Sequence, residues 1–395
     1  MAKSLYFSVG EPSGDQHAAR MIGQLRAQCP GIRTLGMGGP SMAAAGCELM
    51  VDLTQHAVVG LVEVLPKLRE FFRFADQAEA VFRKGGIDAV VLVDFPGFNW
   101  HIAKRAKKYK IPVFYYCPPQ LWAWAPWRIG KLRRHVDHVL SVLPFEHEYF
   151  QRRGIDSVHV GHPFFDAVEE SPLHKPTVST MQESMDGGKR LVAVLPGSRT
   201  AEVHGNFPLQ LSAIERLAQR HPDCQFMVAA HRDSHALWCR RHWQENESRR
   251  QLPIEIFVGR TSEIIEMACC AMMVSGSVSL ELMARKTPAA VTYRVGRIMH
   301  ALGKRLIRVD SLSLPNLMHD QHIFPEHVSV GDSKPAVDFL VKSMDAYLSD
   351  EFYRRGVVQA LEELCFRYGR TGASERAAAE ILKQLGVQTA RRLAA

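Results

Sequence analysis

The strongest restriction on the fold of this chain is a rhythm. Short apolar runs ending near glycine or proline alternate with longer stretches that have helical spacing. "SLYFSVG" (4–10), "DAVVLVDFP" (88–96), "IPVFYYCPP" (111–119), "HVLSVLPF" (138–145) and "SVHVGHP" (157–163) read as strands. The region between 11 and 84 carries helical patterns, as in "HAARMIGQLRAQ". Nearly continuous apolar strands alternating with helices require a parallel sheet covered on both faces, an α/β fold.

The rhythm breaks at "EESPLHKPTVSTMQESMDGGKR" (169–190), a polar stretch with Pro, Ser and Gly, and then resumes. "RLVAVLPGSR" (190–199), "QFMVAAH" (225–231), "IEIFVG" (254–259), "AMMVSGS" (271–277) and "PAAVTYR" (288–294) form a second strand series, and helical patterns fill the chain from about 335. The 395 residues suit two domains. The expected division is a first domain at 1–168, a linker at 169–189 and a second domain at 190–365. A helical segment at 366–395 would pack back on the first domain or on a partner protomer. Two such halves imply a cleft, with ligands beyond the carboxyl ends of the strands.

Composition narrows the class. An apolar fraction of 46% with 23% charged residues is that of a folded globular protein. No apolar run is long enough to span a bilayer. The N-terminus "MAKSLYFSVGEPSGD" lacks the apolar core and cleavage site of a signal peptide, so a cytoplasmic location is expected. Eight scattered cysteines without a C-x-x-C pair indicate neither a disulfide framework nor a zinc site. A net charge of +8 favours anionic partners. The basic clusters 103–110, 128–135 and 294–308 read most simply as solvated helix faces, and no nucleic-acid module is visible.

Three strand–turn–helix motifs carry candidate chemistry. In "SVGEPSGDQHAA" (8–19), Gly10 and Gly14 permit a tight turn, Ser13 or Asp15 is placed to cap the helix, and Glu11 and Asp15 offer polar contacts to a sugar. In "LPGSRTAEV" (195–203), Ser198 is placed to cap a helix starting near Ala201, and Arg199 adds a fork of donors suited to phosphate. In "VSGSVSLELMARKTP" (274–288), Gly276, Ser277 and Ser279 offer donors to a diphosphate, and Glu281 stands in the first helical turn, where a carboxylate is favoured. Each motif alone is also an ordinary turn or cap.

Together and in this order, "GEPSGD", "DFPGFN" (94–99), "PQLWAW" (119–124), "LPFE" (143–146), "GHP" (161–163), "LPGSR" (195–199), "SGSVSLE" (275–281) and "SLPNL" (313–317) resemble the lipid-A-disaccharide synthase family. The resemblance implies a GT-B glycosyltransferase fold, with two Rossmann-like domains facing a cleft. It implies transfer of 2,3-diacylglucosamine from its UDP derivative to the 6-hydroxyl of 2,3-diacylglucosamine 1-phosphate (lipid X). The products would be the β(1→6) disaccharide 1-phosphate and UDP, with inversion and with neither cofactor nor metal ion. It also implies Arg199 and Asn316 near the diphosphate, Gly276 and Ser277 as backbone donors, Glu281 on the ribose, and a homodimer. One residue departs from the pattern. Gly97 stands where the family has the second aspartate of Asp-x-Pro-Asp-Phe-Asn, its usual candidate for general base. Asp94 then ranks first as base, with Asp15 and Glu11 behind it. Two alternatives stay open: another GT-B enzyme acting on a UDP-sugar (a 2-epimerase or a transferase with a soluble acceptor), which would have no use for 57–74, or a non-catalytic binder of lipid or nucleotide sugar, which the same glycine suggests. His17, His101 and His162 are further histidines near these motifs.

Acylated substrates come from a membrane, so an anionic inner-membrane surface is an expected partner and nucleic acid is not. In "AVVGLVEVLPKLREFFRF" (57–74), Val59, Val62, Leu65, Leu68 and Phe72 interleave with Lys67, Arg69 and Arg73, a mixture suited to docking on such a surface and equally to a core helix. Trp122 and Trp124 are expected to line an acyl or sugar pocket, with burial in the core as the competing reading. Arg128, Lys131, Arg133 and Arg134 would face lipid phosphates.

Overall fold

The computed structural model of the chain describes residues 3–56, 68–185, 187–319 and 321–387. Contacts divide it into two compact units: residues up to Asp166 together with those from Thr371 on, and Ala167–Arg370.

Every apolar run expected as a strand is one. The first unit holds a parallel sheet of β1 (Ser4–Val9), β2 (Arg33–Gly38), β3 (Glu48–Asp52), β4 (Ala89–Val93), β5 (Val113–Tyr116), β6 (His138–Ser141) and β7 (Ser157–His159), in the order β3-β2-β1-β4-β5-β6-β7. The second holds β8 (Arg190–Leu195), β9 (Cys224–Ala230), β10 (Ile254–Val258), β11 (Cys270–Val274), β12 (Ala289–Val295) and β13 (Glu326–Val330), in the order β10-β9-β8-β11-β12-β13. All pairings are parallel, as strands buried on both faces require. β1 and β4 illustrate the cause: Leu5, Tyr6, Phe7 and Val90–Val93 are fully buried, with the Tyr6 and Phe82 rings in edge contact at 5.0 Å.

The helical patterns between 11 and 84 are the helices Pro12–Gln28, Pro40–Ala44 and Leu68–Lys84, and the region also holds β2 and β3, which were not expected. β2, "RTLGMG", escapes a pattern search because glycine is poor in strands. Here it is required: a Cβ on Gly36 would sit 2.0 Å from the Phe7 carbonyl oxygen. β13, "EHVSV", was not expected either, being short and polar. The stretch 169–189 contains the helix Lys175–Ser184, tied down by buried Met181 and by the His174 amide, which donates to Glu263 at 2.9 Å.

In each sheet the winding reverses between two adjacent strands, β1 and β4 in the first and β8 and β11 in the second. Chains leaving such a pair diverge and leave a crevice at the strands' carboxyl ends. Register makes the ends level: Val9 pairs with Val93, and Leu195 with Met273.

Candidate active site

In the first unit, the chain beyond Val93 turns through Asp94 and Phe95, both left-handed at φ 47° and 46°. Cys117 and Ala125, after neighbouring β5, are left-handed too, at 49° and 53°. Such backbone costs about 1–3 kcal/mol per residue in a non-glycine and gathers where function holds it. The hold on Asp94 is visible. Its carbonyl accepts from the Tyr115 hydroxyl at 2.8 Å and from Asn99 Nδ2 at 2.7 Å, and its amide donates to Tyr116 O at 3.2 Å. Asn99, buried on the helix Pro96–Lys108, also shares Nδ2 with Ser8 O (3.2 Å) and Val93 O (3.3 Å), and its Oδ1 accepts from Ser8 Oγ at 2.7 Å. One carboxamide thus stitches β1 to β4 and fixes the Asp94 turn.

Glu11 stands at the end of β1, in the N-cap position of the helix Pro12–Gln28, but its side chain does not cap that helix. Level strand ends therefore bring Glu11 and Asp94 to the same crevice. Asp15 does not join them as a base. It is buried, and its carboxylate accepts the amides of Gly39 (2.9 Å), Ser41 (2.9 Å) and Met42 (3.1 Å), capping the helix Pro40–Ala44 rather than its own. Its oxygens are committed to holding that helix start. Burial pushes the pKa of His17 down to about 4 and that of His162 to about 3, so both rings are neutral. His101 lies in the helix Pro96–Lys108, its ring against Phe72 at 5.1 Å.

The tryptophans part company. Trp122 is buried, with its indole N–H donated to Glu146 Oε1 at 3.0 Å and its ring edge-on to Phe145 at 4.7 Å, so it belongs to the core reading. Trp124 and Trp127 are exposed, with the Arg128 guanidinium 4.2 Å from the Trp124 ring. Val59, Val62 and Leu65 lie outside the described residues. Leu68 begins the helix Leu68–Lys84, in which Phe71 and Phe74 face the core and Phe72 is exposed.

In the second unit, β8 runs into Gly197, left-handed at φ 117°, where a Cβ would meet Glu202 Cβ at 2.6 Å. Arg199, not Ser198, takes the N-cap position of the helix Thr200–Arg220. Glu202 closes a capping box. Its Oε2 accepts the Ser198 and Arg199 amides at 3.1 and 3.2 Å, and its Oε1 accepts from Arg199 Nη1 at 3.0 Å. The loop therefore already cradles a carboxylate, and an anion bound there would compete with Glu202. Beyond β11, Gly276 and Ser277 are exposed at the same end of the sheet, and Ser275 Oγ donates to Leu312 O at 2.5 Å. Glu281 is nearly buried and accepts from Arg285 Nε at 3.2 Å. Gln210 repeats the role of Asn99: buried on the helix that follows β8, it donates to Leu195 O and Met272 O, both at 3.3 Å, and so bridges β8 and β11.

Asn316 is placed otherwise than expected. It is buried, its Nδ2 donates to Phe324 O (2.8 Å) and Glu326 Oε1 (2.7 Å), and its Oδ1 accepts the Phe324 amide at 2.9 Å. That amide group ties the helix Leu314–Met318 to Phe324 and Glu326 and has little left for a diphosphate. Sequence reasoning missed Asn99, Tyr115, Gln210 and Glu202. Two had a local signal: Glu202, by its position in the first helical turn, and Asn99, which ends the quoted "DFPGFN".

Among the described residues, no three His, Cys, Asp or Glu gather as a metal site, and no helix is long and apolar enough to cross a membrane.

The chain is similar to known proteins over nearly its whole length. A family model described as Lipid-A-disaccharide synthetase matches residues 5–348. A lipid-A-disaccharide synthase of Geobacter sulfurreducens is 31% identical, covering 96% of this chain and 96% of the relative. Another, of Anaeromyxobacter dehalogenans, is 34% identical over 94% and 95%. In fold the chain resembles the UDP-GlcNAc 2-epimerase of Neisseria meningitidis bound to UDP-GlcNAc, with a TM-score of 0.65 at 13% identity over 96% of this chain and 100% of that one.

Proposed function

Because the chain belongs to the lipid-A-disaccharide synthase family, and is thereby a glycosyltransferase that forms the lipid A disaccharide, we propose that its two units divide the work of that reaction. The first activates the acceptor and the second holds the nucleotide of the donor. Relatives named for this activity match over 96% and 94% of this chain, which does not favour a different UDP-sugar enzyme or a mere binder.

The donor is UDP-2,3-diacylglucosamine and the acceptor is 2,3-diacylglucosamine 1-phosphate. The acceptor 6-hydroxyl oxygen attacks the anomeric carbon, the bond from that carbon to the diphosphate breaks, and the hydroxyl proton passes to Asp94. The observation that carries this reading is the Asp94 turn, a strained carboxylate-bearing corner held by Tyr115 and Asn99 at a topological switch point. Glu11, at the neighbouring strand end, is the second carboxylate. Asp15 and Asn316 act structurally.

In the second unit, negative charge grows on the departing diphosphate. Donors fixed in advance at that position lower the barrier. The exposed Gly276–Ser277 turn supplies them, joined by Arg199 and the Ser198 amide once the diphosphate displaces Glu202 from these two, and Glu281 receives the ribose hydroxyls. The UDP-sugar bound in the Neisseria epimerase of like fold supports a nucleotide sugar here. Both substrates carry acyl chains, so the enzyme works from the cytoplasm as a peripheral protein on the inner membrane.

An assay with the two acylated substrates tests both halves. Asp94→Asn is expected to lower kcat by about 10²–10⁴-fold while UDP affinity holds. Arg199→Ala is expected to weaken UDP binding. Full turnover by Asp94→Asn would remove the base assignment, and unchanged UDP affinity in Arg199→Ala would remove the nucleotide assignment.

A further inference from the structure

The helix Arg297–Leu306 of the second unit has no buried residue. Its apolar side chains are outward: Ile298 is 84% exposed, Met299 63% and Leu302 48%, and Ile307 just beyond the helix is 53% exposed. At about 100° per residue, Ile298, Leu302, Leu306 and Met299 fall on one stripe roughly 100° wide. Arg297 and Lys304 lie on the opposite side and Arg305 at the stripe's edge. From 294 to 308 the chain carries Arg294, Arg297, Lys304, Arg305 and Arg308 and no carboxylate.

An α/β unit ordinarily turns such a stripe onto its sheet. Here the stripe faces water, which is unfavourable unless a partner covers it. Charge selects the partner. A second copy of the chain pairing through the same helix would set this cation cluster against an identical one. An anionic bilayer offers phosphates to the cations and acyl chains to the stripe.

We propose that the helix Arg297–Leu306 is a membrane-surface anchor. It lies in the headgroup boundary of an anionic bilayer, with Ile298, Met299, Leu302 and Leu306 toward the acyl chains and Arg297, Lys304, Arg305 and Arg308 among the phosphates. The inference rests on the reading that the acylated substrates are drawn from a membrane. It adds a contact carried by the nucleotide-holding unit, separate from the stretch 57–74, and so keeps that unit where its lipid-linked donor resides.

The test uses the full chain with sedimenting vesicles, of phosphatidylcholine alone or mixed with phosphatidylglycerol. The triple variant Ile298→Ser, Met299→Ser, Leu302→Ser is expected to bind the mixed vesicles about tenfold or more weakly than wild type. Lys304→Glu with Arg305→Glu is expected to lose about tenfold on mixed vesicles and nothing on phosphatidylcholine. Tryptophan emission of Leu302→Trp should shift to the blue on mixed vesicles. UDP affinity, measured alongside, separates the two readings: a variant that binds UDP but not vesicles supports the anchor. A wild type that fails to bind UDP faults the nucleotide assignment and leaves the vesicle result to stand by itself. Wild-type vesicle binding by the serine variant overturns the anchor. So does a wild-type dimer that the serine variant dissolves without losing vesicle binding.

Discussion

Gly97 stands where the resembled pattern carries a carboxylate, and the backbone has room for one. A Cβ at Gly97 would meet no atom within 4 Å. The residue lies in the first turn of the helix Pro96–Lys108, where an aspartate interacts well with the helix dipole and a glycine adds only chain entropy. Gly97→Asp is therefore expected to stabilise the protein by roughly 0.5–1 kcal/mol, read from urea unfolding. Its effect on turnover discriminates between two chemistries. With Asp94 already serving as base, a second carboxylate leaves kcat within about threefold. A rise of two or more powers of ten, the usual worth of a base, would mean that the natural enzyme runs without one and that Asp94 has another duty. The departure at Gly97 was plain in the sequence. What the sequence did not show was the commitment of Asp15, because its partners Gly39, Ser41 and Met42 lie on a different helix more than twenty residues away.

The strand-to-helix connection is the element on which the candidate site is built, and one of these connections buries a carboxylic acid. Glu146, in "LPFE", is in the first turn of the helix Pro144–Gln151, and burial pushes its pKa up from 4.5 to about 7 against the pull of the Trp122 indole and the Val142 and Leu143 amides. The folded protein thus keeps a proton that the unfolded chain gives up near 4.5. Stability falls as pH rises through the interval between those two values, by an amount on the order of 3 kcal/mol, and the loss is complete above it. His17 and His162 act in the other direction. Their lowered pKa values mean that the unfolded chain takes up protons first, so stability is lost as pH falls below about 6.5. Glu146→Gln retains an oxygen for the Trp122 N–H and cannot ionise. The Tm of the wild type should therefore drop relative to Glu146→Gln between about pH 5 and about pH 8 by several degrees, with the histidine effect cancelling in the difference. Parallel Tm curves would show that Glu146 is ionised in the fold. Elements of this kind were legible where apolar runs carried them, as in "AVVLVD" and "RLVAVLPGSR". β2 was lost because Gly36 serves a backbone approach, and the pairing of Trp122 with Glu146 joins a turn to a helix start that no local pattern connects.

The whole molecule is two units, yet the chain does not visit them one after the other. It leaves the first near Asp166 and comes back at Thr371, so the helix Ala373–Gln384 packs on the helix Pro12–Gln28. The return is fastened by one buried side chain. Asp166 accepts the amides of Gly372 (2.7 Å), Ala373 (3.1 Å) and Ser374 (2.9 Å), the same three-amide grip that Asp15 has on the helix Pro40–Ala44. Sequence periodicity showed a helix at the end of the chain but could not say where it docks, since the grip joins residues some two hundred positions apart. Removing the carboxylate leaves the amides of a helix start without partners in a buried place, which costs about 1–3 kcal/mol. Asp166→Ala should accordingly lower the stability of the first unit by about that amount and leave the second nearly untouched, because none of the three amides belongs to it. Hydrogen exchange resolves the two: amides of Ala373–Gln384 and Pro12–Gln28 should exchange faster in the variant, while those of β8, β9 and β11 keep wild-type rates. Equal acceleration in both sheets would mean that the units unfold as one, and the terminal helix would then be a clasp for the entire protein and not for the unit it packs on.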